Sequence, residues 1–211
     1  RFRFSEPIFH VFTQEITMRC ERVLMAATGL VLAIAAPSAL AHTHGAAGAG
    51  FGAGFGHPFL GLDHLAAMVA VGVWVAQAGW RPAWGVPLVF MTVMALGAWL
   101  AFSGVALPSV EAGIAASLLV LGLLVAAAVR LPLAAAAVIA AVFAVFHGHA
   151  HGTEIPQALA PWLYVTGFLL ATGLLHAAGI VAGRYGATRR PWLARATGLA
   201  LSAGGAWMLL T

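Results

Sequence analysis

The chain has 211 residues, 62% hydrophobic and only 8% charged, with a mean hydropathy of +0.97; so little polar surface excludes a soluble globule and implies an integral membrane protein. Its formal charge of +4 comes from arginine with no lysine, and Arg81, Arg130, Arg184, Arg189, Arg190 and Arg195 fall in short connections between apolar stretches, which orients a membrane protein and excludes a nucleic-acid surface. The single cysteine, Cys20, lies in a segment expected to be removed, so any metal in the mature protein must be held by nitrogen and oxygen donors, with methionine as the remaining sulfur.

In chain order, residues 1–17 have no periodicity and precede a natural start at Met18, so they read as an over-extended translation start. Residues 18–41 have the three parts of a secretory signal peptide: a basic Met18-Arg19-Cys20-Glu21-Arg22, an apolar Val23 to Ala36, and a small-residue end with Ala39 and Ala41. The apolar run is shorter than the roughly 20 residues a seventh span would need. Cleavage after Ala41 leaves His42-Thr43-His44 at the new N-terminus, where the free amine, two amides and the His44 imidazole suit copper(II) or nickel(II). Residues 42–56 form a histidine- and glycine-rich external segment, and the glycine alternation from Ala46 to Gly56 predicts a flexible linker.

Residues 57–211 predict an all-α domain, a bundle of six transmembrane helices over approximately His57 to Ala78, Trp84 to Ser103, Pro108 to Val129, Leu131 to His147, Leu159 to Gly183 and Trp192 to Leu210. The inter-span arginines occupy alternate connections, which puts those loops in the cytoplasm and both mature termini in the periplasm of a bacterial inner membrane. Trp80, Trp84, Trp162 and Trp192 stand near span ends as interfacial anchors. Gly179 and Gly183 form a G-x-x-x-G that serves close packing within the bundle first and a homo-oligomer seam second. No nucleotide-binding loop is present, so nothing here binds ATP to power transport.

Two histidine clusters flank the spans on the external side. In the first, Pro58 suits a first helical turn, so His57 marks the water interface. Asp63 and His64 lie near ten ångströms deeper at roughly 1.5 Å per residue, too far from His57 for one ion unless the helix breaks around Gly61. A buried aspartate costs about 2.5–3.5 kcal/mol on insertion scales. Asp63 therefore either binds a cation with His64 or pairs with a histidine to tie helices together. Met68, one turn below, could pass an ion inward. In the second cluster, His147 and His151 would share a face if the helix continued, with His149 pointing elsewhere, but Gly148 and Gly152 predict that it ends there. The negative end of that helix and Glu154 both favour a cation. His176, deep in the fifth span, is a candidate second ligand or proton acceptor. Glu111 reads as a helix N-terminal charge. Neutral imidazole and carboxylate suit nickel(II), cobalt, copper and zinc alike.

His57-x5-Asp63-His64 in the first span and Phe146-His147-Gly148-His149-Ala150-His151-Gly152-Thr153-Glu154 at the fourth resemble the paired signature motifs of the HupE/UreJ family, and the resemblance covers the whole mature chain. It implies a nickel permease, working by facilitated diffusion or secondary transport, that supplies hydrogenase or urease through nickel-enzyme maturation proteins. The family's functional residues would fall on His57, Asp63, His64, His147, His151 and Glu154, with His149 at a variable position. Residues 1–17 are no part of that pattern. The competing function is a membrane-anchored metal-binding or assembly factor that moves no ion; an external site alone would favour it, and the depth of Asp63 and His176 favours a path. No nucleophile or activated-water arrangement supports an enzyme.

Overall fold

The computed structural model describes residues 50–155 and 161–211, with 187–189 as backbone alone. The expected signal peptide and the His42-Thr43-His44 site lie outside them. Among the described residues every regular element is helical: α1 Phe51–Gly56, a single 3-10 turn His57–Phe59, α2 Leu62–Ala78, α3 Gly85–Phe102, α4 Val110–Ala126, α5 Leu133–Thr153, α6 Pro161–Arg189 and α7 Pro191–Leu210.

Four of these, α3, α5, α6 over Pro161–Gly186, and α7, are long and apolar enough to cross a membrane. The pair Phe51–Phe59 and Leu62–Ala78 makes a fifth if taken as one broken span, bent by 79°. At 17 residues α4 covers roughly 26 Å of a hydrocarbon core of about 30 Å, short of the length that the six-span reading assigns it. The apolar surface is that of a multi-pass membrane protein: Leu88, Leu96, Trp99, Val138, Val142 and Leu199 are exposed, as lipid-facing side chains must be, while Trp74, Phe90, Met94, Leu118 and Leu121 are fully buried.

Two local expectations are corrected. The glycine-rich stretch expected to be a flexible linker is helical from Phe51. It docks on α6, because Gly54 and Gly167 have no Cβ and each lets a backbone lie against the other helix, Gly54 on Tyr164 and Gly167 on Phe51 and Phe55. The fourth long helix, expected to end near His147, runs on to Thr153. Gly148 and Gly152 do not terminate it, because their bare faces are where α3 packs, against the backbones of Met94 and Ala98.

The same device joins the other main pairs. On α6, Gly179 approaches Gly72 of α2, and Gly183 lies against Val73 and Ala76. Between α4 and α7, Gly122 faces Gly198 and Ser202, and Gly205 faces Ala115 and Leu119. The G-x-x-x-G stripe of α6 is therefore occupied by α2 within the chain, which is the packing role expected of it first. At the opposite end from the histidines, three side-chain donors tie the end of α2 and the residues just after it to the last turn of α4 and the α4–α5 connection. Trp74 Nε1 donates to the Val129 carbonyl at 2.9 Å, Gln77 Nε2 to Val125 at 3.1 Å and Trp80 Nε1 to Leu131 at 3.1 Å. Trp80 thus turns inward, whereas Trp84, Trp162 and Trp192 are exposed as anchors.

A methyl group at Gly122 would stand 2.5 Å from Ser202 Oγ and 2.6 Å from the Gly198 carbonyl, while one at Gly186 meets nothing within 4 Å. Gly122→Ala should therefore destabilise the detergent-solubilised protein by about 1–3 kcal/mol of overpacking, and Gly186→Ala should be neutral or slightly stabilising. Thermal unfolding of the two variants side by side checks this; equal midpoints would show that the α4–α7 approach is not a tight seam.

Candidate metal centre

The cluster grows out of α5. Its residues 147–152 form two stripes at a spacing of four, one of glycine against α3 and one of imidazole facing inward. His147 is completely buried and His151 nearly so. Because α5 remains helical, these two rings share a face, as their spacing allows.

The chain before α2 brings the first motif to the same place. Leu60 and Gly61 separate the 3-10 turn from α2, with Gly61 extended at φ −90°, ψ 106°. The bend there brings His57 beside His151 instead of leaving it a helix length from His64. The ring centroids of His57 and His151 are 4.8 Å apart, those of His151 and His64 4.2 Å, and those of His64 and His147 4.7 Å. The sequence put His57 and His64 too far apart for one ion unless the helix broke around Gly61; it does break there, and His151 is the ring that both approach.

At the outer end, one ligand atom from each of His57, His151 and Glu154 lies within 4.8 Å of the other two. His57 Nε2 is 2.7 Å from Glu154 Oε2, and His151 Nδ1 is 3.9 Å from the same oxygen. Two imidazoles and a carboxylate at this spacing could hold one divalent ion, since nitrogen and oxygen ligands bond such ions at about 2.0–2.2 Å and small rotations close the difference. Glu154 lies just past the last helical residue. Burial alone would raise its carboxyl, but the His151 and His57 imidazoles hold it well below the usual carboxylate range.

Deeper, hydrogen bonds fix which nitrogen is left free. Asp63 sits in the first turn of α2, where the helix dipole favours a carboxylate. Its Oδ1 accepts the His64 backbone N–H at 2.9 Å and faces His64 Nδ1 at 3.1 Å. Against that acceptor Nδ1 carries the proton, which leaves Nε2 with its lone pair, buried and without a hydrogen-bond partner among the described residues. Asp63 therefore does not tie two helices together: it orients a neighbour on its own helix. Ser117 does the equivalent for His147. Its hydroxyl donates to the Ile114 carbonyl at 2.6 Å and lies 2.8 Å from His147 Nε2. With its one proton spent on Ile114, Ser117 must accept from Nε2–H, so Nδ1 of His147 carries a lone pair, buried and unpartnered among the described residues.

The remaining sequence candidates lie elsewhere. His149 projects to another side of α5, where its Nε2–H donates to the Val105 carbonyl at 2.8 Å and pins the α3–α4 connection. His176 is a separate, fully buried ring beyond Phe90. Met68 is buried in the hydrophobic core. Glu111 is exposed in the first turn of α4, with no side-chain cap from Ser109. Sequence reasoning passed over Ser117, Phe168 and Phe90. Phe168 lies 4.1 Å, centroid to centroid, from His151, and Phe90 touches both His147 and His176 at 5.8 and 5.4 Å. Ser117 had a legible signal, being the only polar residue of α4 after its first turn. The two phenylalanines had none, being indistinguishable from core.

A family model described as HupE / UreJ protein matches residues 30–208. Protein HupE of Rhizobium leguminosarum bv. viciae is 45% identical over 186 residues, covering 87% of this chain and 96% of its own length. No solved structure matches.

In nitrogen-15 NMR of histidine-labelled protein, His147 should show a single Nε2–H tautomer. Ser117→Ala should remove that preference and Ser117→Thr should keep it. An unchanged tautomer in Ser117→Ala would show that the hydroxyl does not set it.

Proposed function

This chain belongs to the HupE / UreJ family, and from that premise we propose that it carries a divalent transition metal, nickel(II) first among candidates, inward across the bacterial inner membrane to supply hydrogenase or urease maturation. The observation that carries this reading is the row of imidazoles His57, His151, His64 and His147, with successive centroids under 5 Å apart. Nitrogen donors that follow one another at this spacing let an ion exchange ligands stepwise rather than leave one cage for another. Soft thiolates are missing from the row, which suits nickel, cobalt or zinc better than copper(I).

The row gives each residue a role. His57 and Glu154, partly exposed, capture the hydrated ion, and the carboxylate offsets its charge. His151 shares the ion with both ends. His64, held by Asp63, and His147, held by Ser117, each offer a lone pair further in. The ion enters from the periplasm with both mature termini on that side, and passage is by facilitated diffusion or secondary transport. His176, deeper than the row, supports a path over a membrane-anchored assembly factor that would need an external site alone.

Radiolabelled nickel should enter proteoliposomes containing only this protein, saturably and in proportion to protein reconstituted. Asp63→Asn, His64→Ala and His151→Ala should each reduce uptake at least tenfold at matched abundance. Thr166→Ala, whose hydroxyl returns only to the Trp162 carbonyl, should transport like the parent. Uptake at the parental rate in the three cluster variants would make the histidine row structural.

Labelling of single introduced cysteines should place residue 153 outside and residue 81 inside, since the arginine connections belong to the cytoplasm. Residue 153 labelled from the cytoplasmic side would invert the direction proposed.

A further inference from the structure

Below the histidine row, α6 presents a second line of side chains to the interior. Tyr164, Phe168, Thr172 and His176 follow at intervals of four, so they lie along one face of the helix, and all four are buried, at 4%, 2%, 1% and 0% exposure. The outer half of this line touches the outer cluster: the Tyr164 ring is 6.0 Å from His57 and the Phe168 ring 4.1 Å from His151. The inner half carries two polar groups with no apolar reason to be there. Neither ring nitrogen of His176 has a hydrogen-bond partner among the described residues, nor does the Thr172 hydroxyl.

The Thr172 hydroxyl has an easy alternative that it leaves unused. Thr166, Thr197 and Thr211 each donate to the carbonyl four residues back on their own helix, the usual way a helical threonine satisfies itself in an apolar setting. Thr172 instead leaves its hydroxyl free one turn from His176. An imidazole and a hydroxyl, both buried and both open to a ligand, stand where unpaired polar groups are costly.

We propose that Thr172 and His176 form an inner station for the transported divalent cation, reached from His147 past the Phe90 ring. Phe90 contacts both imidazoles, so it separates the outer row from the inner station, and its rotation opens the step between them. His176 lies eight residues beyond Phe168, the neighbour of His151, roughly 12 Å along the α6 axis, which places the station past the outer cluster. One imidazole and one hydroxyl are too few donors to retain a borderline divalent ion. That weakness fits a site from which an ion must depart, since conduction needs binding that is favourable to enter and weak enough to leave. This station rests on the transport reading above.

The test separates binding at the outer cluster from passage. In detergent, His176→Ala should bind nickel(II) by equilibrium dialysis with the parent's affinity, because the outer row is intact. In proteoliposomes its nickel uptake should fall at least tenfold, and that of Thr172→Val several-fold. His176→Cys, made in a Cys20→Ser background, places a soft donor on the path. Cadmium should then inhibit its nickel uptake at about tenfold lower concentration than in the Cys20→Ser parent. Parental uptake by His176→Ala, or loss of outer binding together with uptake, or an unshifted cadmium sensitivity in His176→Cys, would overturn the inner station while leaving the outer site standing. No nickel uptake by the unsubstituted protein would remove the transport reading and the station with it.

Discussion

The backbone approach of α3 to α5 at Gly148 and Gly152 is the constraint on which the rest of the centre depends. Any side chain at either position would meet the α3 backbone, so this face of α5 is fixed against α3. A helix has no freedom to turn once one face is fixed. His147 and His151, one position before each glycine, are thereby aimed inward, and His149 is sent to the α3–α4 connection. The alternation of histidine and glycine is thus a pattern of two stripes on a continuing helix, one of glycine that packs against α3 and one of imidazole that faces inward.

The first motif reaches the cluster because the chain preceding α2 is broken rather than straight. A continuous helix would set His57 about two turns from His64 and leave each with its own surroundings. The bend at Leu60 and Gly61 instead opens an N-terminus inside the protein. There Asp63 takes up a backbone N–H and the His64 ring, and His57 is returned to the side of His151 and Glu154. Placing the carboxylate at a helix N-terminus also lowers the cost of a charge among apolar helices, because the unpaired N–H groups of that turn point toward it. The broken segment lies against α6 through the same device: Gly54 rests on the Tyr164 backbone, and Gly167 on the backbones of Phe51 and Phe55.

Within the cluster, hydrogen bonds do less to hold helices together than to choose tautomers. A buried imidazole with both nitrogens satisfied could offer nothing to an ion, and one with neither satisfied would be free to turn. Asp63 and Ser117 each occupy one nitrogen of one ring and leave the other. Metal-binding histidines are generally oriented in this way by a partner on the opposite nitrogen. Outer helix surfaces carry leucine, valine and tryptophan toward lipid, while His64, His147, His151 and His176 are buried in the interior.

The sequence by itself determined the membrane class, from hydropathy; the family, from the two histidine motifs beside apolar runs; and the packing use of Gly179 and Gly183, from their spacing. These properties are local, readable from residue type and period. Whether Gly148 and Gly152 ended a helix or packed one, whether His57 and His64 approached a common ring, and which hydroxyls mattered were decided only in the tertiary structure. A glycine that caps a helix and one that admits a neighbour look the same along the chain, because the difference lies in what stands opposite: here, the carbonyls of Met94 and Ala98 on α3. Ser117 and His147 are thirty residues apart, and nothing in either segment encodes the other's proton; only the packing of α4 against α5 makes one the partner of the other.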